Sequence, residues 1–134
     1  MSKADLACPC GSNNSYASCC EVFHQGKIGA QTAEQLMRSR YSAYALKLID
    51  YLVETTHPDK RSSDLRQATS DWAEQIELQR LKIISVRQGQ VIDKIGKIDF
   101  IVHYRQQGKE LQLRELSRFK RYRSHWVYLD GEIS

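Results

Sequence analysis

The sequence predicts an α+β fold preceded by a small metal-binding knuckle, and three observations carry that prediction. All four cysteines lie in residues 8–20, "CPCGSNNSYASCC". Between Thr32 and Gln75 apolar residues recur at the three- and four-residue spacing of helices. From Leu78 the period becomes two, in long runs rich in β-branched and aromatic residues. Helices grouped first and antiparallel strands afterwards indicate α+β rather than alternating α/β.

Bulk properties narrow the class. With 134 residues, 41% hydrophobic and 27% charged, the chain has the composition of a folded domain and not of a disordered one. No apolar run approaches the roughly 18 residues that span a bilayer. "MSKADLACPC" lacks the apolar core of a secretion signal, so a cytoplasmic protein without a membrane span is expected. The formal net charge of +4 is too small to mark a nucleic-acid binder. Four thiolates on one Zn²⁺ would lower it to about +2.

The cysteine stretch admits four readings. A disulfide framework suits small secreted domains, and bridges within the Cys8/Cys10 or Cys19/Cys20 pairs would close strained rings, although cross-pairing stays open. A redox site would call for C-x-x-C, which is absent. Four buried thiols without a shared role would not crowd into one stretch. A tetrahedral Cys₄ site fits best, because zinc favours soft thiolates in a closed shell. Pro9 stiffens the first pair, and Gly11 to Asn14 supply turn chemistry. Tyr16 is the one large side chain between the pairs. Four protein ligands leave no position for water, so the site is expected to be structural, with the metal supplying folding energy.

The helices come next. "TAEQ" reads as a capping box, with Thr32 as N-cap and Gln35 reaching back. Ala33, Met37, Tyr41, Tyr44 and Leu48 share a face that Leu36 and Ala45 widen; Arg38, Arg40 and Lys47 lie off it. A second helix fits "DYLVETT" and stops at Pro58. A third covers Asp64 to Gln75, with Trp72 near its end. "QGKIGAQ" is the expected junction, giving a knuckle at residues 1–25 and an α+β domain at residues 30–134.

Strands fill the remainder. "ELQRLKIISVRQGQV" reads as a strand with a turn at Gln88 to Gln90. Two long alternating runs joined at "QQGK" follow, and "RYRS" leads into a last, shorter strand. By alternation Phe100, Val102 and Tyr104 share a face, as do Leu113, Glu115, Ser117 and Phe119, and then Trp126, Tyr128 and Asp130.

"CPCGSNNSYASCC" resembles the SEC-C motif, in which C-x-C-G-S is followed by a spacer containing tyrosine and then C-C or C-H. The resemblance implies Zn²⁺ held by Cys8, Cys10, Cys19 and Cys20, with Gly11, Ser12 and Tyr16 at the other motif positions. The motif's spacer is usually lysine-rich, and this one is not. In the related tail of the SecA translocation motor the basic zinc module serves partner binding. "MRSRYSAY", "THPD" and "ELSRFKRYRSHWVYLDG" are similar to the bacterial YchJ family. That family places a SEC-C motif before a domain of the nuclear-transport-factor-2-like (cystatin-like) fold, which implies three helices packed on a curved antiparallel sheet. Arg114-Glu115 stands where the family commonly has His-Glu. Some members carry a second, C-terminal cysteine motif, and this sequence ends soon after "LDGEIS".

Folds of this cone-shaped class often hold a pocket between sheet and helices, and the candidates here are Tyr41, Trp72, Tyr104, Glu115 and Trp126. A carboxylate among aromatics has a raised pKa and can serve as a general base. The plainer expectation is a core carboxylate satisfied by Arg40, Tyr41 or Trp126. His57 reads as a helix-terminal residue, and His103 and His125 as surface positions. No nucleophile–base pair, phosphate loop or carboxylate dyad is legible, so no catalytic residue is assigned.

Arg114, Arg118, Lys120, Arg121 and Arg123 mix with aromatics as in some RNA-binding sheets. Alternation splits them between two faces, as a solvated outer sheet face would. The expected role is therefore that of a binding or adaptor protein with structural zinc and an unidentified protein partner. The alternatives are a small-molecule binder or enzyme using the pocket, and RNA or ribosome association through residues 114–123.

Overall fold

The computed structural model describes residues 6–134, in which four helices precede four strands. The helices are α1 (Glu21–His24), α2 (Ala33–Leu46), α3 (Ile49–Glu54) and α4 (Leu65–Gln75), with single 3₁₀ turns at Tyr16–Ser18 and Pro58–Lys60. The strands are β1 (Glu77–Gln88), β2 (Ile95–Gln106), β3 (Lys109–Tyr122) and β4 (His125–Ile133). Helix α1 is one more than the sequence predicts. A single turn of four residues is too short to leave a periodic signal.

Thr32 caps α2 as expected: its Oγ1 accepts the Gln35 N–H at 3.1 Å. The Gln35 side chain reaches past Thr32 and accepts from the Gln31 N–H at 2.7 Å. Lys47, in the left-handed region with φ 60°, ends the helix. Ser39, Arg40 and Ser42 are buried alongside the apolar positions of α2. Only Gln35 and Ala45 of this helix are exposed. Arg40 thus sits inside although it lies off the apolar stripe.

The sheet is an antiparallel meander in the order β1-β2-β3-β4. Its tight turns adopt left-handed backbone: Gln107 and Gly108 have φ 53° and 77°, Arg123 and Ser124 have φ 49° and 70°. Two successive residues of that kind match the right-handed twist of a hairpin. Ile83 pairs with Phe100, Phe100 with Glu115, and Phe119 with Tyr128, which fixes the inward face.

Register shifts bend the strands. β1 carries two of them, and one in β3/β4 pairs Arg118 with Asp130 but Phe119 with Tyr128, leaving Leu129 as the extra residue. That bulge corrects the expected alignment of β4. Tyr128 stays on the inner face, while Asp130 turns outward to Arg118.

Two apolar clusters form the core. Ala33, Leu36 and Met37 of α2 pack on Ile98, Phe119 and Trp126 of the sheet. Each large side chain buried there contributes about 1.5–3 kcal/mol. The second cluster joins Cys8, Cys10, Tyr16 and Cys20 to Tyr41, with Leu46, Leu78, Leu81 and Val102 packed against it.

Candidate metal centre and adjoining cavity

Local backbone bonds fold the cysteine stretch into a loop. Cys8 N–H donates to Asn14 O at 2.8 Å, Gly11 N–H to Cys8 O at 3.2 Å, and Tyr16 N–H to Leu6 O at 2.9 Å. The reversal uses left-handed Gly11 (φ 82°) and Asn13 (φ 71°). The 3₁₀ turn at Tyr16–Ser18 then brings Cys19 and Cys20 back towards the first pair.

The four sulfurs lie within 4.8 Å of one another. Cys10 and Cys19 are 3.7 Å apart, and Cys19 and Cys20 are 4.0 Å apart. A tetrahedron with metal–sulfur bonds of about 2.3 Å has edges of about 3.8 Å, so the donor set fits an ion. All four are free thiols. The spacing is far beyond the roughly 2.05 Å of a disulfide bond. Four cysteines this close could hold a metal ion.

The surroundings suit negative sulfur. Ser42 Oγ–H donates to Cys20 Sγ at 3.3 Å, and the same oxygen lies 3.4 Å from Cys8 Sγ. Ser12 Oγ lies 3.2 Å from Cys19 Sγ. Arg38, ion-paired to Glu34 at 3.0 Å, donates through Nη1 to Cys10 O at 2.8 Å and fastens the loop to α2. Hydrogen bonds from Cys10 and Cys20 hold the Cys8 thiol well below its ordinary range, while the Cys10 and Cys8 sulfurs push Cys20 up. Burial pushes Cys19 up as well. Four adjacent sulfurs cannot all ionise without a counter-charge, and a divalent cation supplies one.

A second network fastens this loop to α2. Ser39 O can only accept, so His24 Nε2 carries the proton in their 2.7 Å bond. His24 Nδ1 then accepts the Tyr16 hydroxyl at 2.6 Å. Tyr51 packs edge-on to the His24 ring, centroids 4.8 Å apart.

A cavity of about 160 Å³ lies between α2, α4 and the inner face of the sheet. Tyr41, Trp72, Tyr104 and Glu115 line it, as does Arg40. Trp126 does not, which corrects the expected set. It is 3% exposed in the main core, and its Nε1–H donates to Gln31 O at 3.0 Å. The partners of Glu115 also differ from those expected. Its Oε2 accepts from Ser117 Oγ and, at 3.3 Å, from the Tyr128 hydroxyl. Gly131 leaves room for this carboxylate, since a Cβ there would stand 2.4 Å from Oε2.

Arg40 places its guanidinium carbon 4.7 Å from the Tyr128 ring centroid. Its Nη1 donates to Leu52 O at 2.8 Å and to Thr55 Oγ1 at 2.7 Å. Arg40 and Tyr44 were absent from the sequence-derived pocket. Tyr44, on the apolar stripe one turn from Tyr41, could have been found from its spacing, whereas Arg40, off that stripe, left no such signal.

A family model described as "YchJ, middle NTF2-like domain" matches residues 32–131. The chain belongs to the YchJ family. A UPF0225 protein of Geobacter sulfurreducens is 40% identical over 124 residues, covering 92% of this chain and 77% of that protein. One of Bordetella parapertussis is 40% identical over 129 residues, covering 95% and 92%. Among solved structures, a SEC-C motif containing protein from Rhodopseudomonas palustris matches with a TM-score of 0.85 and 35% identity, covering 96% of this chain and 99% of that one. Another, from Psychrobacter arcticus, matches with a TM-score of 0.83 and 27% identity, covering 100% and 86%.

In this YchJ-family chain the basic residues of β3 are mostly engaged internally. Arg114 forms a bidentate pair with Asp99 (3.0 and 2.7 Å), and Arg118 Nε meets Asp130 at 2.6 Å. Arg121 donates to Asp93 O at 2.9 Å and Val91 O at 2.6 Å and lies over Trp126. Arg123 lies over Tyr122. Lys120 has no ion-pair partner among the described residues. His57 caps the turn at Pro58, its Nδ1 accepting the Asp59 N–H at 3.0 Å.

Proposed function

We propose that this YchJ-family chain is a zinc-containing binding or adaptor protein whose metal is structural. The observation that carries the reading is the convergence of four cysteine sulfurs within 4.8 Å. A tetrahedral ion held by all four has no open position for water or substrate. Soft thiolates favour zinc among the common divalent ions, and Ser12, Ser42 and Arg38 supply hydrogen bonds that steady such a site. Cys8, Cys10, Cys19 and Cys20 are its ligands in this reading.

A protein partner is favoured over nucleic acid because Arg114, Arg118 and Arg121 already spend their charge or donors inside the chain. Thiolates that must stay reduced suit the cytoplasm. No described helix is long and apolar enough to cross a membrane.

Protein purified without added zinc should carry close to one equivalent per chain, and the Cys19→Ser/Cys20→Ser variant should lose it. Metal below a tenth of an equivalent, with cross-links among Cys8–Cys20 seen by mass spectrometry, would overturn the reading. Partner capture with wild type and that variant side by side tests whether binding depends on the knuckle.

A further inference from the structure

The cavity holds two ionisable groups of opposite sign that do not pair with each other. Arg40 is 9% exposed and uses Nη1 for its bonds to α3 and the turn after it. Its Nε and Nη2 have no hydrogen-bond partner among the described residues, and no carboxylate forms an ion pair with it. Glu115, which shares Tyr128 with Arg40, receives both of its hydrogen bonds on Oε2, leaving Oε1 free. Among the described residues every fully enclosed side-chain nitrogen and oxygen has a partner. The free atoms of Arg40 and Glu115 are therefore not sealed in, and both residues line the cavity.

Such an arrangement is costly when nothing occupies it. A guanidinium withdrawn from water without a direct ion pair is destabilising: burial pulls Arg40 below its usual range, and the nearby Glu115 carboxylate and the tyrosines offset this only in part. Aromatic and aliphatic side chains make up much of the remaining lining. Trp72 and Tyr104 meet edge to face with centroids 5.5 Å apart. The volume of about 160 Å³ is close to the roughly 150 Å³ of protein cavities that admit a benzene ring.

We infer that this cavity binds a small aromatic acid, its carboxylate on Arg40 and a hydroxyl or amino donor on Glu115. The carboxylate accepts from the free guanidinium nitrogens, the ring fills the aromatic space, and the donor meets Oε1. A plain carboxylate would leave Oε1 unsatisfied, and a plain phenol would leave Arg40 unpaired. The site is thus selective for a molecule polar at both ends. The inference concerns α2, α4 and the sheet, and it does not depend on which metal the cysteines hold.

The test is titration of the metal-loaded chain with 4-hydroxybenzoate, benzoate and phenol, followed by ¹H–¹⁵N NMR. With 4-hydroxybenzoate, shifts should concentrate at Trp72 Nε1 and the backbone around Arg40, Tyr104 and Glu115. Benzoate and phenol should each bind about tenfold more weakly, since a buried polar group left unpaired is what discriminates. In Glu115→Gln the advantage over benzoate should shrink at least about threefold, and in Arg40→Met the advantage over phenol should vanish. The wild-type comparison stands even if Arg40→Met fails to fold. Equal affinity for the three probes, shifts scattered over the surface, or no shift at millimolar probe would overturn the inference.

Discussion

His24 shows how much a single side chain can report. It is held between the Tyr16 hydroxyl and the Ser39 carbonyl, and burial lowers its pKa from the ordinary 6.5. The folded chain prefers neutral His24, whereas the unfolded chain takes up a proton from about pH 6.5 downward. The stability it contributes is therefore complete above that pH and is lost as pH falls through the folded value. An NMR titration of the His24 ring in the metal-loaded protein should give a pKa below 6.5. A value at or above it would show that the ring is not enclosed as described. Nothing near His24 in the sequence announced this role, because one of its partners, Ser39, lies 15 residues away on another helix. The cysteines are the opposite case. Their spacing is local, so four letters in thirteen residues were enough to locate the sulfur cluster.

At the scale of elements, periodicity was legible and packing partners were not. The change from helical to alternating spacing places α2, α3, α4 and the meander correctly, since each period follows from backbone geometry alone. The Leu129 bulge is one residue without a distinct sequence signal, yet it decides that Asp130 leaves the inner face. Trp126 misled for a related reason: alternation gives a face, not a position along the sheet. A test at this scale concerns the β1–β2 hairpin under α2. A Cβ on Gly96 would stand 2.6 Å from Gly89 Cα and 3.2 Å from Ala33 Cβ. Alanine normally suits a strand better than glycine, so Gly96→Ala should stabilise unless that contact is real. A loss of about 1–3 kcal/mol in urea denaturation is expected. Unchanged or increased stability would mean that hairpin and helix are not so closely packed.

For the molecule as a whole, the sequence suggests a knuckle that folds around its own metal, and the structure joins Cys8, Cys10 and Cys20 to Tyr41 in one buried cluster, against which Leu78, Leu81 and Val102 pack. The cysteine cluster and the α+β domain thereby share one apolar core. Chelation under reducing conditions should lower the melting temperature of the entire chain by about 10 °C or more, in one cooperative transition. A two-step melt with the sheet unaffected would indicate independent units. Fold class could be read from the sequence because it depends on the order of elements. How the knuckle and the domain meet could not, because it depends on side chains such as Ser42, whose polarity places it on no apolar face.

Helix α2 has a consequence for sequence drift. Ala33, Leu36 and Met37 face the sheet, Ser39 faces α1 and α3, Arg40 faces the cavity, and Ser42 faces the sulfurs. Of its fourteen residues only Gln35 and Ala45 are exposed, and Gln35 is occupied with the cap. A helix enclosed on so many sides has little room for neutral substitution. Divergence between this chain and a relative that differs at most positions must be absorbed instead by the outer face of the sheet and the connecting loops, while α2 changes only in step with its neighbours.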